Sequence, residues 1–173
     1  MYKRIDIFDF DGTLVFTPDF YEGKEIWEKS KGVVWPYNGW ASKSESLDLD
    51  VFHIPLNPFV YKKYLESHSE YGVLTIMATG RIVKLKDDVD KILEHYGLEF
   101  DEKFLNNGGD TYSFKSKLFT DLIDKHKPSI FRMYDDRYPH ISAFENEWAP
   151  KQNCTIEIIN VMKSDKTPKI IYN

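Results

Sequence analysis

Only one cysteine, Cys154, stands in this chain of 173 residues. Neither an intramolecular disulfide nor a cysteine-ligated zinc site can therefore form within it, a usage that suits a reducing compartment. No apolar run approaches the roughly 20 residues that span a bilayer, and Lys3, Arg4 and Asp6 interrupt the N-terminus before a signal-like stretch develops. The expectation is a soluble, cytoplasmic protein with no membrane association and no disulfide-linked partner. An excess of positive charge is also missing. Twenty-three Lys and Arg face 28 Asp and Glu, for a net charge of -5. That balance argues against broad coating of nucleic acid or anionic lipid, and leaves room for a small basic pocket. There is no internal repeat and no Gly/Ser- or Pro-rich linker. A G-x-x-x-x-G-K-[ST] phosphate loop is absent as well, which excludes a P-loop nucleotide kinase from this chain. Nothing in the sequence sets the oligomeric state.

What is present is ordinary globular usage, with 42% hydrophobic and 29% charged residues and a raised aromatic share of 16%. A chain of this size is one domain that buries about 70% of its unfolded surface. Short apolar runs alternate with amphipathic stretches, the pattern of βαβ units around a mostly parallel sheet. Strands are expected at 5–10, 73–78, 104–105, 130–134 and 155–161. Between them, Ile82, Leu85, Val89, Ile92, Leu93 and Tyr96 recur at helical spacing before Gly97. Phe114, Leu118, Leu122 and Ile123 mark a second helix that Asp110 or Thr111 can cap, and residues 141–148 a third. Residues 15–71 form an insertion between the first two strands, rich in Trp, Tyr, Gly and Pro in its first part and convincingly helical only at 58–69. This insertion is expected to act as a flap over one end of the sheet, shaping access to a site. Trp27, Trp35 and Trp40 suit packing of the flap onto the body better than stacking on a base.

Polar residues at strand ends carry the chemistry, because ligands of open α/β sheets bind beyond the carboxyl ends of the strands. Asp9 and Asp11 leave the first strand two residues apart, and Gly12 lets the backbone turn away. Thr79 follows 70 residues later, Lys115 after 36 more and Asp135-Asp136 after a further 20. Carboxylates suit a hard cation such as Mg²⁺, the lysine offsets phosphoryl charge, and the hydroxyl orients it. A carboxylate so placed can also act as a nucleophile and form an acyl phosphate.

The string Asp9-Phe10-Asp11-Gly12-Thr13-Leu14 after an apolar strand, with Thr79, Lys115 and Asp135-Asp136 in order, resembles the four motifs of the haloacid dehalogenase (HAD) superfamily. Thr17-Pro18, Trp35-Pro36, Gly39-Trp40, Thr79-Gly80-Arg81, Gly108-Gly109-Asp110-Thr111 and Tyr134-Asp135-Asp136-Arg137 with His140 resemble the branch described as Swiss Army knife RNA repair-like. Ala41 departs from it, standing where branch members often carry a second Trp. The resemblance implies a three-layer Rossmann-like fold with a mostly parallel sheet and no large cap domain. It makes Asp9 the nucleophile and Asp11 the acid that protonates the leaving oxygen and then activates water. Thr79 would bond the phosphoryl oxygens and Lys115 balance their charge. Asp135 would hold Mg²⁺ with Asp9 and the Asp11 carbonyl, supported by Asp136. Gly12, Gly80, Arg81, Arg137 and His140 would lie on the substrate side.

The implied activity is a Mg²⁺-dependent phosphatase acting through an aspartyl phosphate, with the branch pointing to a DNA or RNA end such as a 3′-phosphate. Two other readings stand beside it: a catalytically idle fold used as a binding or structural module, and a phosphatase of nucleotides or small metabolites. Arg81, Lys84 and Lys86 lining an open site would favour a polymer, and a deep closed pocket a metabolite. Arg81 suits a surface ion pair as well as a substrate contact. Arg137 could instead pair with Asp136, and His140 could cap a helix.

Overall fold

The computed structural model describes residues 2–172. Five strands, β1 (Arg4–Phe8), β2 (Val73–Ile82), β3 (Glu102–Asn106), β4 (Ile130–Asp135) and β5 (Thr155–Asn160), run parallel, and β6 (Lys169–Ile171) closes one edge antiparallel. Their order is β3-β2-β1-β4-β5-β6. From β1 the chain builds outward through β2 and β3, then returns past β1 to start β4 on the other side. The carboxyl ends of β1 and β4 therefore open a crevice at the point where the winding reverses. This is the expected three-layer Rossmann-like architecture, with helices on both faces.

The two faces follow from the two-residue period of the strands. Ile5, Ile7, Leu74, Ile76, Phe131, Met133, Ile156 and Ile158 point to one side. There they bury α4 (Thr111–His126) through Phe119, Leu122 and Ile123, and α5 (Tyr138–Ala143) through Ile141. A π-helical turn at Phe144–Trp148 continues α5 into the same core. The intervening positions, among them Phe8, Met77, Tyr134 and Ile159, face α2 (Pro58–Ser69) and α3 (Lys86–His95) on the other side. Asp6 alternates with Ile5 and Ile7 and is fully buried on the second face. It is held there by Arg4 Nε at 2.9 Å and Ser67 Oγ at 2.6 Å, so its charge is paired rather than stranded.

Three element-level expectations need correction. Residues 15–57 are not irregular throughout, since α1 (Phe20–Lys31) occupies part of them. Asp19 caps it, accepting from the Tyr21 and Glu22 amides at 2.8 and 2.9 Å, and Gly32 ends it in the left-handed conformation. β2 does not stop at Ala78 but runs through Ile82, with a bulge between Thr79 and Ile82 that leaves Gly80 and Arg81 outside the ladder to β3. β6 has only three residues and was not legible in the pattern.

The segment between β1 and β2 shares the core of the second face. Trp27, Trp35 and Trp40 are buried in it beside Phe52, Ile54 and Val60, so the three tryptophans pack rather than present their rings. Trp40 donates its indole N–H to the Pro18 carbonyl at 2.9 Å and lies over Gly23 of α1. A methyl added at Gly23 would sit 2.1 Å from two atoms of that ring. In an open helix Gly→Ala stabilises by about 0.5–1 kcal/mol, whereas overpacking costs about 1–3 kcal/mol. Gly23→Ala is therefore expected to lower stability by about 1–2 kcal/mol in urea unfolding. A stabilised variant would show that Trp40 is not clamped against α1.

Candidate active site

The crevice at the reversal point is a cleft of about 390 Å³ lined by Asp9, Asp11, Arg81, Lys115, Asp136 and Arg137, among others. They arrive from four elements: Asp9 and Asp11 from the loop after β1, Arg81 from the bulge of β2, Lys115 from the start of α4, and Asp136 and Arg137 from the loop after β4. Gly12, at φ 68°, turns the first loop. A Cβ on Gly12 would meet Asp136 Oδ2 at 2.4 Å, so glycine is needed there for space as well as for conformation.

Lys115 organises the floor. It is 2% exposed, and its Nζ stands 2.9 Å from Asp9 Oδ1 and 2.8 Å from Asp135 Oδ2. α4 holds it as its fifth residue, behind the Asp110 cap, whose carboxylate accepts the Ser113 amide at 2.7 Å. Burial pulls the Lys115 pKa down, but the two carboxylates outweigh it and keep the ammonium charged. Asp9 itself is shifted upward: burial raises it, Asp135 and Asp11 add to that, and Lys115 only partly offsets them. Asp136 is pushed up to about 6, by burial first and then by the charge of Asp135. One ammonium thus serves three carboxylates, and the group is short of positive charge.

Oxygens of Asp9, Asp135 and Asp136 lie within 4.8 Å of one another. Three carboxylates that converge with too little neutralising charge fit a hard divalent cation such as Mg²⁺. Asp11 does not join this group with its carboxylate. Thr17 Oγ1 donates to Asp11 Oδ1 at 2.7 Å, Arg81 Nη2 donates to the same oxygen at 2.7 Å, and Arg81 Nε bridges both oxygens at 3.2 and 3.0 Å. Thr79 is fully buried below, and its Oγ1 accepts the Arg81 amide at 3.1 Å.

The remaining candidates separate. Gly80 lines the cleft with no room for a side chain, since a Cβ would come within 2.8 Å of Thr111. Arg137 is exposed at the cleft, and its amide donates to Asp135 Oδ1 at 2.9 Å. Among the described residues its guanidinium makes no salt bridge to Asp136. His140 is half-buried on α5, with its Nδ1 buried and without a hydrogen-bond partner. Burial, followed by the charges of Arg137 and Lys115, lowers its pKa. Of the basic row Arg81, Lys84, Lys86, Arg81 is 4% exposed and turned inward, Lys84 is exposed, and Lys86 is exposed and bridged to Asp90 at 2.5 Å. Sequence reasoning gave no site role to Ser46, which accepts from Arg81 Nη1 at 2.7 Å, or to Thr13, 3.5 Å from Asp136. Their partners lie 35 and 123 residues away, beyond any local signal.

Fold and site together define a Rossmann-like α/β domain whose crevice holds a lysine-braced cluster of carboxylates. The sequence matches the model of "HAD domain family 1 in Swiss Army Knife RNA repair proteins" over residues 17–170. The chain belongs to that family; Asp9 and Asp11 precede the matched span. No curated protein matches the sequence. Solved structures described as "Structure of Pnkp1/Rnl/Hen1 complex" and "Structure of the Pnkp1/Rnl/Hen1 RNA repair complex" contain chains of the same fold, each at TM-score 0.60 and 21% identity. They cover 84% and 91% of this chain, which spans 43% of each of theirs.

The upward shift at Asp136 has a sign. The native carboxyl takes up a proton near pH 6 and the unfolded one near 3.8, so native stability falls as pH rises through that window and stays reduced above it. Asp136→Asn is expected to raise the melting temperature of the metal-free protein above pH 6, with the gain vanishing below pH 4. Mg²⁺ should stabilise the wild type more than the variant. Equal Mg²⁺ stabilisation of both proteins would remove Asp136 from the cation site.

Proposed function

We propose that this protein is a Mg²⁺-dependent phosphomonoesterase that works through an acyl phosphate on Asp9, with a nucleic-acid 3′-phosphate end as its substrate. The observation that carries this reading is the convergence of Asp9, Lys115, Asp135 and Asp136 in one cleft, with the Asp11 carboxylate tethered at its rim. The family description and the repair complexes that share the fold support the choice of a nucleic-acid end.

Asp9 attacks phosphorus with a carboxylate oxygen, and the bond from phosphorus to the ester oxygen breaks as the new one forms. Asp11 gives its proton to the departing oxygen, then takes one from water as that water attacks the acyl phosphate. Inorganic phosphate leaves and Asp9 is restored. Lys115, fixed against Asp9, lies close enough to offset charge gathering on the phosphoryl oxygens. Thr79 uses its oxygen to accept the Arg81 amide, which leaves its hydroxyl proton to donate to a phosphoryl oxygen. Bound Mg²⁺, held by Asp9, Asp135 and Asp136, would supply Lewis-acid stabilisation of the same charge.

A nucleotide or small-metabolite monoester is the second reading. It is favoured by the size of the cleft, within the roughly 300–1,000 Å³ of small-ligand sites, and by the inward turn of Arg81 away from any polymer track.

Phosphate release from 3′-phosphorylated DNA and RNA oligonucleotides, mononucleotides and an aryl phosphate, with and without Mg²⁺, tests these readings. The expected result is Mg²⁺-dependent release, faster from the oligonucleotides and lowered at least about 10³-fold in Asp9→Asn. Faster release from mononucleotides would favour the second reading. No release from any of them would leave the fold as a binding or structural module.

A further inference from the structure

Arg81 is the only guanidinium buried at the cleft among the described residues, and its donors are almost all committed. Nε and Nη2 grip both oxygens of Asp11, while Nη1 donates to the Ala41 carbonyl at 2.9 Å and to Ser46 Oγ at 2.7 Å. Four of the five N–H groups of a guanidinium are used in this way. Its backbone amide is taken too, by Thr79 Oγ1, and the bulge in β2 is what releases Arg81 from the sheet to reach these partners. Ser46 is itself fully buried and anchored, donating its own proton to the Lys43 carbonyl at 2.7 Å.

A side chain clamping substrate phosphate would keep a forked pair of donors free for it. Arg81 instead spends its fork on Asp11 and braces its other end on the loop at 41–46. We infer that Arg81 and Ser46 are positioning residues: they hold the Asp11 carboxylate at the rim of the cleft and couple its place to the segment between β1 and β2. The inference rests on the phosphoryl-transfer reading above, in which Asp11 is the proton donor to the leaving oxygen. It reassigns Arg81 from substrate contact to support of the acid. Thr17, bonded to Asp11 from the other side, completes the holder.

Misplacing a general acid penalises substrates whose leaving group needs the proton and spares those whose leaving group departs without one. The value of kcat/KM covers the steps up to the acyl phosphate, so it isolates the acid role from the later hydrolysis. The test compares p-nitrophenyl phosphate with phenyl phosphate, whose leaving oxygen is far more basic, and with a 3′-phosphorylated oligonucleotide. It is run on wild type, Arg81→Lys and Ser46→Ala, with melting curves to confirm folding. Lysine keeps the charge but cannot bridge both Asp11 oxygens and the loop together.

The expected result for Arg81→Lys is a loss of about 10²-fold in kcat/KM on phenyl phosphate or the oligonucleotide and less than about tenfold on p-nitrophenyl phosphate. Ser46→Ala should show the same ordering at about fivefold, and carries the test if Arg81→Lys does not fold. An equal loss on all substrates, or a rise confined to KM, would mean that Arg81 binds phosphate directly. That would overturn this inference and leave the phosphatase reading intact. A wild type that turns over no monoester would overturn both.

Discussion

Two buried carboxylates, a half-buried third and one buried ammonium, gathered at the carboxyl ends of β1 and β4, impose the strictest constraint in this molecule. Lys115 is almost fully buried between Asp9 and Asp135. A charge in that position is tolerable only if its partners are fixed around it, since an unpaired buried ion costs several kcal/mol. The surrounding elements supply that fixity. α4 must start where Asp110 caps it, so that Lys115 faces inward; β4 must end at Asp135; and the loop after β1 must turn tightly at Gly12, where no side chain fits beside Asp136. The winding order of the sheet then brings these three points to one crevice.

A second layer of order surrounds Asp11. Its carboxylate is not drawn into the cluster with Asp9 but is held aside by Arg81 and Thr17. Separating two acidic groups only two residues apart gives them different electrostatic settings, one against a buried ammonium and one at the rim against a guanidinium. The two neighbouring carboxylates are thereby fixed on different partners, Asp9 on Lys115 and Asp11 on Arg81. The segment between β1 and β2 takes part in this arrangement: Ala41 and Ser46 hold Arg81, and Trp40, sealed under Pro18, keeps that loop in register with α1.

Much of the fold was legible because its signals are local. The apolar run starting at Ile5 marks a strand, helical spacing from Ile82 to Tyr96 marks α3 although Ile82 itself ends β2, and Asp110 announces α4. The helix α1 carried signals as clear, with Asp19 and Glu22 at its start and Gly32 at its end. They were masked by Gly23 and the aromatic residues around it, whose presence is explained by Trp40 resting on the glycine. The bulge at Gly80 and Arg81 and the short β6 left no pattern, because both depend on what a neighbouring strand does.

The sequence alone determined the strand-and-helix alternation and the chemical types at the strand ends: two carboxylates after β1, a hydroxyl after the apolar run of β2, a lysine near the start of α4, and a pair of carboxylates of which one ends β4 and the other follows it. These are properties of single positions and short periods. Tertiary structure alone decided which charges meet. It joined Lys115 to Asp9 and Asp135, sent Asp11 to Arg81, turned Arg81 inward onto Ser46 and left Arg137 exposed at the cleft. Ion pairs and hydrogen bonds act over a few ångströms between residues 20 to 106 positions apart, and only the packed sheet sets those distances.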